Sequence, residues 1–339
     1  MIKTRITEEF GIKYPIIQAP MGPFYTTELC VAVSEAGGLG TISHTNLQGT
    51  NSVKVMKENF DYVIEHTDKP FGFNIRTARM QPDANSMIRS VARWIEKDPK
   101  LREQCIFGLT SAGSPRMAIN IWQKKAPNLK HFHVAPAMWL ARKVVDTGCN
   151  GLVITGIEGG GHQSYEQITT MILLQQAVRE FPDLPLVASG GFASPEGVAM
   201  AIVGGADAVA MGTRFIGTKQ CEFHQNFKTL IYPATAKDTI MCTGVFGPVR
   251  VLKNKYSLSH NRVLTKEEKK TQENGFGIEE LNEEIAIHEL IYRGDVDNGV
   301  ILVGQSIGLI DSEEDVDDII STYSSQAEEL LKKAVSKIQ

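Results

Sequence analysis

Eight short apolar runs, each divided from the next by a longer amphipathic segment, limit what this chain can fold into more than any other feature. The runs are 15–20, 39–42, 71–75, 105–109, 131–134, 151–154, 184–189 and 207–211. Between them lie segments with apolar residues at helical spacing, such as SMIRSVARWIEK at 86–97 and ITTMILLQQAVREF at 168–181. Strands that alternate with helices build a parallel sheet, and eight strands close one into a barrel. The expectation is an α/β protein, a (β/α)8 TIM barrel; an open doubly wound sheet is the alternative. Helix starts are read at Pro136 and near Pro195, since proline fits a first turn.

After residue 215 the texture changes. Residues 216–303 are polar, include the charged run TKEEKK at 265–270, and read as helical turns and loops without further strands. The segment from Asp311 onward starts acidic and ends basic, as the dipole of a helix favours. We read it as the eighth barrel helix, displaced by an insertion. The barrel then comprises 1–215 and 304–339, and 216–303 forms a smaller, mainly helical cap over the carboxyl ends of the strands, where barrels keep their chemistry. A solvated cap remote from substrate is the alternative.

Composition removes several function classes. The net charge of −4 gives no field for nucleic acid or an anionic membrane surface. No run approaches the roughly 18 apolar residues of a membrane span, and charges occupy the amino terminus where a signal peptide needs an apolar core. The five cysteines show no CxxC pairing, so neither a zinc site nor a disulfide scaffold is expected. A cytoplasmic enzyme acting on a small molecule, without a metal, is the expectation; oligomeric state is not legible.

The chemistry concentrates at the ends of the runs. GLVITGIEGGGH at 151–162 passes from an apolar strand through glycines into His162, where packing has little claim on an imidazole. Ser189, Gly190 and Gly191 follow the seventh strand, and Met211, Gly212, Thr213 and Arg214 follow the eighth. Loops at these two places often hold a phosphate with backbone N–H groups and a hydroxyl. Arg214 fits either a phosphate partner or a brace. Pro20, Met21 and Gly22 end the first strand, and Asn74 ends the third. His133 lies on the fifth strand, and His131 shares its face; a histidine in an apolar strand is more often a packing residue, and no acidic partner marks a metal site.

With these residues in view, the chain resembles the nitronate monooxygenase family, also called 2-nitropropane dioxygenase-like. These are FMN-dependent TIM barrels that include type II enoyl-acyl-carrier-protein reductases and NADH:quinone reductases. The resemblance rests on PIIQAPM at 15–21, EAGGLGTIS at 35–43, PFGFN at 70–74, GIEGGGH at 156–162, residues 188–215 and GQSIGLI at 304–310. It implies FMN with its phosphate on Gly190, Gly191, Gly212 and Thr213, beside Ser189 and Met211. The flavin ring would lie near Pro20, Met21 and Gly22, with Asn74 and Gly161 as further contacts. His162 matches the family histidine that acts as base or electrostatic partner of the substrate.

Two departures bear on substrate. The histidine is followed by Gln163, Ser164, Tyr165 and Glu166 where relatives often carry Arg-Gly or Ile-Gly, and Val134 stands where some carry a lysine. Substrate contacts are expected from His133, Gln163, Ser164 and Tyr165. The leading expectation is oxidation of alkyl nitronates with O2. Reduction of a quinone or an enoyl thioester with NAD(P)H as co-substrate is the second, and a flavin-free barrel that binds a phosphate ligand is the third.

Overall fold

The computed structural model describes residues 1–78, 81–244, 247–275 and 278–338. Eight strands form one parallel sheet: β1 (Ile16–Gln18), β2 (Gly40–Ile42), β3 (Phe71–Arg76), β4 (Cys105–Ser111), β5 (Lys130–Ala135), β6 (Gly151–Thr155), β8 (Leu186–Ser189) and β9 (Ala208–Met211). Their order is β1-β9-β8-β6-β5-β4-β3-β2. Between β1 and β2 the amide of Gln18 donates to the Leu39 carbonyl and that of Leu39 to Ile16, both at 2.9 Å. These bonds bring the two end strands together and make the sheet a barrel.

Alternation along each strand sorts side chains between two cores. Phe107, Phe132, Val153, Val187, Ala208 and Ala210 point into the lumen. Ile16, Leu152, Ile154, Leu186, Val209 and Met211 face the outer helices. The short helix Arg5–Phe10, which the strand pattern does not announce, closes the amino-terminal end of the lumen. Its Phe10 ring lies 5.6 Å from Phe107 and 5.9 Å from Phe132. Thr4 starts this helix with a reciprocal capping box to Thr7.

The helix Val316–Val335 carries Ile319, Ile320 and Ala327 into the outer core and packs against the helices Pro195–Val203 and Thr27–Glu35. It therefore takes the place of an eighth barrel helix. One helix begins later than its proline implies: the segment after β5 becomes helical at Met138, with Ala137 as N-cap, so Pro136 stands ahead of it.

The stretch 216–303 departs from expectation by containing strands. β10 (Thr239–Gly244) and β11 (Gly247–Leu252) pair antiparallel. β11 also pairs with the two-residue β7 (Gly161–His162). The segment reads as loop because Pro248 and Arg250 interrupt its apolar run, yet every residue of β11 is buried. Helices Lys266–Gly275 and Ile278–Leu290 follow. No helix among the described residues is long and apolar enough to cross a membrane. All five cysteines are buried and free.

Candidate functional site

Inward-facing residues at the carboxyl ends of the strands open a cavity of about 540 Å³. Asn74, Ser111, Val134, Thr155 and Ser189 line it from five strands. Asn74 is 3% exposed, and its amide nitrogen donates to the Leu109 carbonyl and to Ser111 Oγ, each at 3.1 Å. Those bonds fix the side chain on the cavity wall.

The loops that follow complete the wall. Pro20, Met21 and Gly22 line it, and the Met21 amide is held by Ser43 Oγ at 2.8 Å. Gly190 and Gly191 line it with φ of +89° and +92°, a left-handed backbone that favours glycine. Gly212 and Thr213 also line it, and Thr213 Oγ1 accepts the Gly304 amide at 2.9 Å, which leaves its own proton to donate. A Cβ built on Gly212 would meet nothing nearer than 3.7 Å. A side chain here would sit in ordinary contact with Ala19 and Met21.

The run before His162 serves a different purpose from the one its glycines first imply. A Cβ on Gly160 would lie 2.6 Å from the Val303 carbonyl carbon, and one on Gly156 would lie 1.9 Å from the Thr170 amide. These two glycines permit backbone to pack on backbone, not on a ligand. Gly161 differs, with φ +78° and nothing within 4 Å of a built Cβ.

His162 lines the cavity and is half-buried. Burial first, and then the positive charges of His288, Arg76 and Lys269, push its pKa down to about 3. At neutral pH the imidazole is uncharged. Beside it Gln163 lines the cavity, with its amide bonded to the Pro248 carbonyl and its Nε2 to the Gly159 carbonyl, both at 2.8 Å.

Four expected contacts lie elsewhere. His133 and Met211 sit on the outward face of their strands, one residue out of phase with the lumen. His133 Nδ1 shares the Thr110 hydroxyl, at 2.7 Å, with His131 Nε2 at 2.8 Å, so both histidines belong to the layer between sheet and helices. Met211 is 1% exposed and packs in the outer core. Ser164 and Tyr165 have turned away from the cavity after Gln163: Ser164 Oγ accepts the Glu166 amide at 3.1 Å, and Tyr165 lies over Gly247. Arg214 proves to be a brace. It pairs with Glu314 at 2.8 Å and donates to the carbonyls of Gly217 and Ser312.

The cavity also contains residues not anticipated. Arg76 lies two positions after Asn74 on β3, so period-two alternation aims both inward; that signal was available in the sequence. Asn46 and Gln81 hold its guanidinium. Phe223, Phe227, His288 and Leu302 come from the stretch after β9, and nothing local to their sequence marks them for this wall. Among the described residues that line the cavity, charged groups are cationic or imidazole, and none is a carboxylate. No cluster able to hold a metal ion occurs among the described residues.

Known proteins of the same kind share this architecture. The chain is similar to a 5-hydroxy-7a-methyl-1-oxo-octahydro-1H-indene-4-carboxyl-CoA dehydrogenase of Mycobacterium tuberculosis, at 33% identity over 257 residues. That match covers 74% of this chain and 66% of the dehydrogenase. A probable nitronate monooxygenase of Staphylococcus aureus is 27% identical over 287 residues, which are 75% of this chain and 79% of that protein. The solved structure of FabK from Thermotoga maritima superposes with a TM-score of 0.82 at 30% identity, covering 100% of both chains. The nitronate monooxygenase family model matches residues 3–325, and the chain belongs to that family of oxidoreductases.

Proposed function

We propose that the protein is an FMN-dependent oxidoreductase that oxidises alkyl nitronates with O2. The observation that carries this reading is an uncharged His162 in a cavity whose described lining has one cation, Arg76, and no carboxylate. Such a wall suits a small anion such as a nitronate.

The residues fit FMN. Gly190 and Gly191 on one loop, and Gly212 with the Thr213 hydroxyl on the next, all line the cavity and would offer a phosphate backbone groups and an O–H donor. Pro20, Met21, Gly22, Asn74 and Gly161 would border the ring, and Ser189 would stand beside the phosphate. When bound, FMN supplies a two-electron acceptor and its reactivity with O2. The protein's part is binding, orientation and the management of protons. A neutral His162 can donate its ring N–H to a nitronate oxygen, while Arg76 provides the positive potential that holds an anion. Phe223 and Leu302 contribute apolar surface to the cavity wall.

A second reading, reduction of a quinone or enoyl thioester by NAD(P)H, is favoured by one observation, the 33% identity to a protein named for a CoA thioester. Anaerobic mixing separates the two. Loss of visible flavin absorbance on adding propyl-2-nitronate, and little change with NADH or NADPH, is the expected result. Rapid loss with a pyridine nucleotide and none with nitronate would establish the second reading instead. Colourless protein that takes up no FMN would remove both.

A further inference from the structure

Among the described residues, the Arg76 guanidinium in the cavity is not paired directly with a carboxylate. Arg76 Nε donates to Gln81 Oε1 at 3.2 Å, and Nη2 donates to Asn46 Oδ1. Both acceptors are neutral amides. The nearest carboxylate, Asp83, is engaged by other groups: His44 Nε2 lies 3.1 Å from its Oδ2, and Gln81 Nε2 donates to its Oδ1. His44 Nδ1 accepts the backbone amide of Arg76 at 3.0 Å, so the imidazole proton sits on Nε2 and points at Asp83. Among the described residues Arg76 makes no ion pair with a carboxylate.

This arrangement fixes a guanidinium from behind and keeps its front free of competing charge. Arg76 lines the cavity, and its Nη1 lies 3.2 Å from where a Cβ of Gly22 would be, so the absence of a side chain at Gly22 makes room for the guanidinium there. Burial lowers the Arg76 pKa to about 10, which leaves it charged at neutral pH. A buried cation held only by neutral groups is costly unless an anion joins it. The planar fork of arginine matches a planar group with two oxygens.

We propose that Arg76 is the anion-recognition residue of the cavity, binding a planar two-oxygen head group, nitronate or carboxylate, through its guanidinium. The inference rests on the reading of this cavity as a substrate site but not on nitronate oxidation itself. It extends the ligand class to small aliphatic carboxylates of the same shape, which should bind without being oxidised.

The test titrates isobutyrate, a close shape match to propyl-2-nitronate, into the FMN-loaded protein by calorimetry and by the shift of flavin absorbance, with inorganic phosphate as a tetrahedral comparison. Wild type should bind isobutyrate and compete it against nitronate. Arg76→Met should weaken it by about tenfold or more, the scale of one lost charge-assisted hydrogen bond, and Arg76→Lys by less. Asn46→Asp preserves shape and sets a carboxylate against the guanidinium, so it should weaken isobutyrate comparably while Arg76 remains in place. It decides the matter should Arg76→Met fail to fold.

Absent binding to wild type, unchanged affinity in Asn46→Asp and in a folded Arg76→Met, or equal binding of phosphate would each overturn the proposal. Arg76-dependent isobutyrate binding without nitronate turnover would sustain it and reject nitronate oxidation. Nitronate turnover with unchanged KM in Arg76→Met would do the reverse.

Discussion

His162 and Val249 face each other as partners in an antiparallel ladder, with Gly161 opposite Arg250. A strand from the stretch after the barrel therefore sets the backbone of the histidine that faces the cavity. Arg250 reinforces the arrangement, donating from Nε to the Ile157 carbonyl at 2.7 Å and from Nη1 to Thr239 Oγ1 at 2.9 Å. Replacing it by methionine keeps volume but leaves the Ile157 carbonyl without this donor. We expect a loss of stability of about 1.5–3 kcal/mol, the usual worth of hydrogen bonds to a charged group, with turnover reduced at unchanged FMN content. Chemical denaturation and flavin-normalised kcat check this, and an unchanged transition midpoint would contradict it.

The glycines before His162 separate into two kinds under substitution. Gly160→Ala drives a methyl into the Val303–Gly304 backbone, where nothing flexible can yield. Gly161→Ala meets no atom but must hold φ +78°, a strain of about 1–2 kcal/mol. The first should lose substantially more stability than the second by thermal melting. Equal losses would show that backbone packing is not what Gly160 provides.

His131 and His133 make an acid liability. Burial lowers both to about 3, against roughly 6.5 in an unfolded chain. Between those values the unfolded state binds more protons, so stability falls as pH drops from about 6.5 toward 3. Each contributes a slope of up to about 1.4 kcal/mol per pH unit. Urea transitions at pH 7, 5.5 and 4.5 should show a shallower decline in His133→Gln than in wild type. Parallel declines would mean that His133 accepts its proton in the folded protein.

The barrel was legible because strand burial is written locally, in short apolar runs with glycine at their ends. The errors of site assignment were errors of parity. His133 and Met211 are one residue from the inward positions Val134 and Ala210, and a single run that is apolar on both faces does not show which face is the lumen. The same parity, counted from Asn74, would have found Arg76. His288 and Lys269 lie more than a hundred residues from His162 in sequence yet press on its charge. The strands Thr239–Gly244 and Gly247–Leu252 are buried against Tyr256, Val300 and β7, and no local pattern records such contacts.

In the proposed reaction His162 acts on the substrate beside FMN, and the anaerobic flavin reaction reports it. The rate at which propyl-2-nitronate removes visible flavin absorbance, without O2, should be compared between wild type and His162→Ala at matched FMN content. A nitronate has already lost its carbon-bound proton, so the imidazole contributes a hydrogen bond to the anion and not general-base catalysis; the variant should retain FMN and react about tenfold more slowly or worse, the scale of one hydrogen bond to a charged group. Equal rates in the two proteins would contradict it.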